Sequence, residues 1–523
     1  MAGFQPFWSA LRERLISIDE THSVCPPDAL TVAALLYIAL PNFIFLGGWL
    51  KLPYALIASV LLFISLTQFF RSPQLQWRQP YTAGALLVIV ATGFAWSSLG
   101  GAGHFFFANP DWIVRDTVLA DLTLTPWPPA YSSDNGVHHI LRTAFGFFFP
   151  AAVLGKWIGL GHVDIHLYAW AALGVTLFLL LLPLPRRTGG LLVVMLLVTI
   201  FFSGMDFLGI LLLTGDSPIF PLRLEWWVPF SYPSLTGQLH WAPNHALPLW
   251  LVTALFYRHW GHRSFPAMVV VLLPLLVIWT PFAAAAILPF IAIAILRGFS
   301  QGQSLCEWDL TLTQCLAATV LGYLTVRLLT LDITAIPGAP TLDVAPSKDR
   351  FLLKYLLFVL MEFAILGLML ARQLRHSHGL FWLAFAILTA LPLYQYGPSN
   401  DTMLRLSTPC LVILLILTLD RISAWAKTYS WREMPINAWA MGLVLLIGAH
   451  TPFNEMWRAL TFRHSPANYG VSLVEHHKGF EAPHYVGRLD RPDLEALLRT
   501  PTLVPTGPER TTQFGAYTKT HDR

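Results

Sequence analysis

Three aspartates recur at five-residue intervals in GHFFFANPDWIVRDTVLADLTLTPWPPAYSSDNGVHH, residues 103–139: Asp111, Asp116 and Asp121. A positioned carboxylate can take a proton from a hydroxyl, and two together can hold a hard divalent cation. Asn109-Pro110 has the form of a helix start, an N-cap followed by proline at the first helical position. A short helix is therefore expected from Pro110 to about Thr123. With 3.6 residues per turn, successive aspartates are rotated by about 140°, so the three cannot converge on one site. Asp111 falls in the first turn, where the helix dipole favours negative charge, and Arg115, four residues on, can pair with it. A solvated amphipathic helix lying on a membrane surface explains the same spacing equally well.

Two further segments carry polar groups beside apolar runs. In PLRLEWWVPFSYPSLTGQLHWAPNHALPLW (221–250), Trp226, Trp227, Phe230, Tyr232 and Trp241 suit an aromatic belt at a membrane interface. Gln238, His240, Asn244 and His245 are not explained by a belt and are candidates to bind a polar ligand, as is His139 at the end of the first segment. His240 and His245, with Pro243 between them, are a weak metal pair. In YGPSNDTMLRLSTP (396–409), Asn400, Asp401 and Arg405 stand at the mouth of an apolar run. Asp401 and Arg405 can form an ordinary intrahelical pair, or Arg405 can bind a phosphate, whose geometry its guanidinium matches. Asp206 and Glu362 lie inside apolar runs, where a carboxylate is expensive. Glu362, the deeper of the two, must find a partner or be protonated.

The elements that position these residues are membrane helices. The chain has 523 residues, 55% hydrophobic and 12% charged, with mean hydropathy +0.57. Soluble proteins carry roughly 25% charged residues. The apolar residues fall in long unalternating blocks, whereas a spanning helix needs about 20 of them and a barrel would alternate. The expected fold is all-α, a polytopic bundle of about 13 spans: 30–48, 53–70, 81–98, 164–183, 189–210, 246–257, 266–280, 282–296, 310–330, 352–371, 378–395, 405–422 and 436–450. No basic tract points to nucleic acid. Cys25, Cys306, Cys315 and Cys410 have neither metal-ligand spacing nor a paired framework, and residues 1–28 do not read as a secretory signal.

The positive-inside rule sets the orientation. Placing Arg12 and Arg14 in the cytoplasm also puts Arg71/Arg78, Arg186/Arg187, Arg258/Arg263 and Arg372/Arg375 there, provided 141–159 is an interfacial or re-entrant helix and not a span. The resulting divisions are a cytoplasmic segment 1–29, three spans within 30–98, an external loop 99–163, a bundle 164–450 and an external tail 451–523. The tail, with Pro466, Pro483, Pro492, Pro501, Pro505 and Pro508 among its polar residues, reads as a partly ordered appendage. Long loops outside and short ones inside put the working surface on the outer face.

NPDWIVRDTVLADL–TPWP, FFPAAVLGKWIG, QLHWAPNHALPLW and NDTMLRLSTP, behind an acid-bearing external loop, resemble the GT-C glycosyltransferases. They are most similar to a group of bacterial membrane proteins sharing that architecture. The resemblance implies transfer of a sugar from a polyprenyl-phosphate-linked donor to a glycan, lipid or protein acceptor at the periplasmic face of the bacterial inner membrane. It also implies Asp111 or Asp116 as base and Arg405 as the holder of lipid phosphate. No cofactor is required by it, and a divalent metal on Asp111 and Asp116 stays open. In GT-C enzymes the acidic loop follows the first span, whereas here two more spans precede it. A transporter or flippase of a lipid-linked glycan, with Asp206 and Glu362 on its pathway, is the alternative from another class. A polymerase or ligase of surface polysaccharide is a further enzymatic one.

Overall fold

The computed structural model describes residues 27–71, 81–132, 138–215, 225, 229–260, 265–300, 310–333, 336–345, 348–371, 379–397, 400–477, 485–507 and 510. Arg12, Arg14, Cys25, Arg78, Trp226, Trp227, Arg263, Cys306, Arg372 and Arg375 lie outside the described residues. Of the described residues 73% are helical and 5% lie in strands. Among them eight helices are long and apolar enough to cross a membrane: Ala29–Trp49, Leu52–Phe70, Leu160–Leu181, Pro281–Gly298, Leu312–Leu329, Phe351–Ala371, Asp401–Thr428 and Ile436–Thr461. Shorter apolar helices run Ala83–Leu99, Phe145–Ile158, Gly190–Ile200, Phe265–Val277 and Gly379–Leu393. This is a multi-pass membrane protein. Leu52, Ile57, Leu87, Leu312, Ile436 and Leu446 point outward from these helices, as lipid, no less apolar than leucine, allows.

The core is built around Pro243–His259, whose residues from Ala246 to Phe256 are all buried. Its C-terminal end fastens the first helix. Arg258 is ion-paired with Asp28, and the His259 ring lies 2.8 Å from the Thr31 hydroxyl. Phe145–Ile158 has 14 residues, about 21 Å at 1.5 Å per residue, too short to cross alone. Its first half packs inward, with Phe145, Phe147, Phe148 and Phe149 buried against the helices that surround it, while Leu154, Trp157 and Ile158 at its far end are exposed.

The segment 189–210, read above as one span, is broken. Gly190–Ile200 ends, residues 201–205 are irregular, and Asp206–Thr214 resumes. The break abuts a π-helical turn, Leu360–Ala364, inside Phe351–Ala371, and the Met205 N–H donates to the Met361 carbonyl (3.1 Å). Gly448 makes this approach possible, since a Cβ there would fall 2.5 Å from the Ser203 carbonyl oxygen and 3.0 Å from that of Gly204. Both obstacles are backbone. Gly448→Ala should therefore destabilise the protein by about 1–3 kcal/mol, read as a lowered thermal midpoint in detergent.

The tail is no loose appendage. A four-stranded sheet runs in the order β5-β2-β1-β6, from Pro129–Ser132 (β1), His138–Leu141 (β2), Val486–Arg488 (β5) and Thr502–Leu503 (β6). β1 and β2 are antiparallel with Ala130 opposite Ile140, β5 pairs antiparallel with β2, and β6 runs parallel to β1. A second pair, Gly338–Pro340 (β3) and Tyr394–Tyr396 (β4), joins two other loops. Val486, Leu494, Leu498 and Val504 are buried, and this apolar set draws the tail onto the loop. The Arg499 N–H donates to the Trp49 carbonyl and the Lys51 N–H to that of Leu497, tying the tail to the first helical hairpin.

Candidate active-site cavity

The expected helix of the acid-rich loop is Asp111–Leu124. It starts one residue later than expected, with Pro110 in the N-cap position and no side-chain cap bond; the Asn109 side-chain oxygen accepts the Asp111 N–H (3.0 Å) while its amide donates to the His240 carbonyl (2.6 Å). Trp112 Nε1 donates to the Gly100 carbonyl (3.1 Å). Gly101, at φ +93°, must be glycine, because a Cβ would meet that indole nitrogen at 2.2 Å. Lys156 closes the other end on the carbonyls of Thr123 (3.2 Å) and Thr125 (2.6 Å). The helix is not a solvated surface element, for everything from Arg115 to Thr123 is buried.

The three aspartates separate as their rotation requires. Asp116 accepts from the His104 ring (3.0 Å) and the Asn468 N–H (2.9 Å). Asp121 accepts from the Tyr131 hydroxyl (2.7 Å), the Leu473 N–H (3.0 Å) and Arg510 (2.5 Å). Those two faces of the helix hold the tail. Asp111, Val114 and Arg115, one helical face, line a cavity of about 690 Å³.

This cavity gathers most of the candidates. Asp111, Arg115, Gln238, Asn244, His245, Asp401 and Arg405 all border it. Arg405 pairs with Asp401 (3.1 Å), and its guanidinium lies 4.8 Å from the centre of the Phe282 ring. His245 Nδ1 is 2.8 Å from the Thr280 hydroxyl. Gln238 is held by Trp250 Nε1 (2.8 Å) and the Pro233 carbonyl (3.0 Å), so it shapes the wall. The Asn244 oxygen is buried without a hydrogen-bond partner.

Arg115 is the most telling group. Its side chain is 9% exposed and lies 3.8 Å from the Asp111 carboxylate, which is 55% exposed. One guanidinium nitrogen donates to the Trp241 carbonyl, while Nε and the other terminal nitrogen are buried with no hydrogen-bond partner. Burial pulls this guanidinium below its ordinary range, and the Asp111 charge opposes that. A buried cation with free donors is matched by an anionic ligand carrying several oxygens.

Four candidates stand elsewhere. Asp116 is locked as described. His139 sits on β2 opposite Tyr131 and Arg488. Asn400, at φ +51°, caps the helix Asp401–Leu406 by accepting the Met403 N–H (3.3 Å). His240 borders a separate small pocket with Asn109, Glu455 and Arg458, where burial and the Arg458 charge hold its imidazole down at about 3. It is neutral at pH 7, and it does not share a site with His245. Asp111 and Asp116 likewise do not converge. Among the described residues no group of three or more His, Cys, Asp or Glu side chains is placed to hold a metal ion.

The cavity also contains residues that the motifs did not single out as a site: Arg142, Glu225, Tyr396, His477 and Tyr485. Arg142 donates to the Leu329 carbonyl (3.0 Å). Burial pushes the Tyr485 phenol up, despite Arg115 and Arg405 nearby, so it remains a proton donor. Arg142 was legible as a charge at the edge of an apolar run. Nothing local marks Tyr485, which the tail brings back from a distance.

No protein-family model, curated protein or solved structure matches this chain. Its reading rests on the site.

The His104–Asp116 contact gives a pH dependence. Burial lowers the imidazole, but the Asp116 hydrogen bond and charge, with the Ser465 carbonyl, outweigh it and the net shift is upward. A histidine raised on folding stabilises fully below its unfolded value near 6.5. That stabilisation is lost as pH rises through the folded value. Proteolysis within residues 463–470 should therefore quicken as pH rises from about 6.5, and His104→Gln should flatten the dependence.

Proposed function

We propose that this chain is a membrane glycosyltransferase moving a sugar from a polyprenyl-phosphate-linked donor to an acceptor at the periplasmic face of the bacterial inner membrane. The observation that carries the reading is one cavity presenting a half-exposed carboxylate, Asp111, beside the buried, under-bonded guanidinium of Arg115, with Arg405 and Arg142 on the same walls. An inverting transfer asks for those two parts. A base takes the proton of the acceptor hydroxyl, and cations stabilise the phosphate as the glycosidic carbon leaves it. Asp111 is the base in this reading and Arg115 and Arg405 hold the phosphate. The polyprenyl chain would lie along the exposed apolar helix faces. The GT-C-like architecture with about 13 spans, and the outward orientation of the cavity, are parts of the same proposal. The shorter helices Ala83–Leu99, Gly190–Ile200, Phe265–Val277 and Gly379–Leu393, with Pro243–His259, would supply the spans beyond the eight.

The test is transfer by the purified protein in nanodiscs, offered polyprenyl-phosphate sugars with lipid and glycan acceptors. Product should form, and Arg115→Gln and Arg405→Gln should each raise the apparent KM for the donor about 10–100-fold, the loss of one charge-assisted hydrogen bond at 1.5–3 kcal/mol. No transfer with any donor, together with substrate-dependent proton flux in liposomes, would turn the assignment to a transporter of lipid-linked glycan. That second reading is favoured by the broken helix at Asp206 meeting the π-turn at Glu362, since interrupted helices mark transporter sites.

A further inference from the structure

Asp206 and Glu362 take no part in the transfer chemistry, yet they are the most confined acids of the bundle. Glu362 is central in the 21-residue helix Phe351–Ala371, roughly 15 Å from either end at 1.5 Å per residue. Asp206 opens the helix that follows the break. Both are buried, and Met205, beside Asp206, donates its N–H to the carbonyl of Met361, beside Glu362. Two acids confined together at this depth cannot both ionise without great cost, so one proton is held between them. Asp206 also accepts from the hydroxyls of Ser203 (3.2 Å) and Thr451 (2.9 Å). Gly204 is what lets the break reach Glu362, since a Cβ there would fall 2.2 Å from its Oε2.

A second observation shows where that proton can go. Glu362 Oε1 is buried without a hydrogen-bond partner. Glu362 borders a cavity of about 10 Å³ that is also lined by Ser203 and Ser234, room for one water. The Ser234 N–H and hydroxyl both donate to the Glu225 carboxylate, and Glu225 lines the large cavity. Among the described residues, Tyr232 lies near Glu362, with Cys410 and Tyr355 near Tyr232, and the His450 ring lies against Phe207, next to Asp206.

We propose that Asp206 and Glu362 form an intramembrane proton-binding site that exchanges with the large cavity through one water, Ser234 and Glu225. On the way out the water takes the shared proton and passes one to the Ser234 oxygen. Ser234 gives its own hydrogen to Glu225, so serine and water are regenerated and one proton has moved. The inference stands on the pair and the small cavity and does not rest on the sugar-transfer reading.

Infrared difference spectroscopy on the full chain in nanodiscs at neutral pH tests it. The carbonyl stretch of a buried protonated carboxyl should be present in the wild type, lost in Glu362→Gln and shifted in Asp206→Asn, where Glu362 keeps the proton. Its hydrogen–deuterium exchange should slow severalfold in Glu225→Gln and Ser234→Ala, which keep the band. Should Asp206→Asn fail to fold, Glu362→Gln and the exchange kinetics of Glu225→Gln decide. A protonated-carboxyl band unchanged by Glu362→Gln overturns the site. Exchange as fast as wild type in both Glu225→Gln and Ser234→Ala overturns the path.

Discussion

Asp111→Asn lowers sugar transfer by about 10²–10⁴-fold, the usual contribution of a positioned general base, while the protein stays folded. The amide keeps the volume of the carboxylate but cannot take a proton. Folding survives because the side chain is more than half exposed and its nearest charged partner is 3.8 Å away, a geometry that contributes little to stability. Single-turnover transfer with saturating donor isolates the chemical step. Asp116→Asn is the informative control, since Asp116 touches His104 and Asn468 and stays out of the cavity. It should loosen the tail and leave the chemical rate within a few-fold of wild type. Wild-type transfer by Asp111→Asn would remove the base from this loop altogether.

The largest stability effect is expected at the opposite end of the same helix. Arg510 and Asp121 are both fully buried and 2.5 Å apart, with Tyr131 and the Leu473 N–H completing the carboxylate. Removing one member of a buried pair strands the other, at about 3–5 kcal/mol. Arg510→Ala should therefore lower the denaturation midpoint more than any surface charge change. Asp121→Asn in the same chain should recover much of that loss, because the stranded charge is gone. A double-mutant cycle by chemical denaturation in detergent measures the coupling, and additive single effects would show that the pair contributes nothing as a pair.

Much of this was legible from sequence, for identifiable reasons. Apolar blocks announce membrane helices because lipid admits few charges, and the acid helix could be placed to within a residue of its start at Asp111 because proline marks a helix start locally. The divergence of Asp111, Asp116 and Asp121 followed from helical rotation alone. Which of them faces the cavity did not, because that depends on His104, Asn468 and Arg510 taking the other two faces. The break at 201–205 is hidden for a similar reason. Apolar residues flank it on both sides, and the backbone bond that satisfies it comes from Met361. Glu362 was legible as a group in need of a partner or a proton, and the fold provides Asp206. The pairing of the tail was not legible because its prolines and polar residues describe local conformation, whereas its strands pair with residues far upstream.

The pairing of Asp121 with Arg510 spans 389 positions of chain, and this sets an order of events during synthesis. The acid helix emerges from the ribosome early, with most of the bundle still unmade, and its buried carboxylate has no counter-charge until the tail has been completed and carried to the same side of the membrane. Translation that stops short of residue 510 leaves that helix with an uncompensated buried charge. The cavity that Asp111 faces is likewise incomplete until His477 and Tyr485 have been made and carried to it.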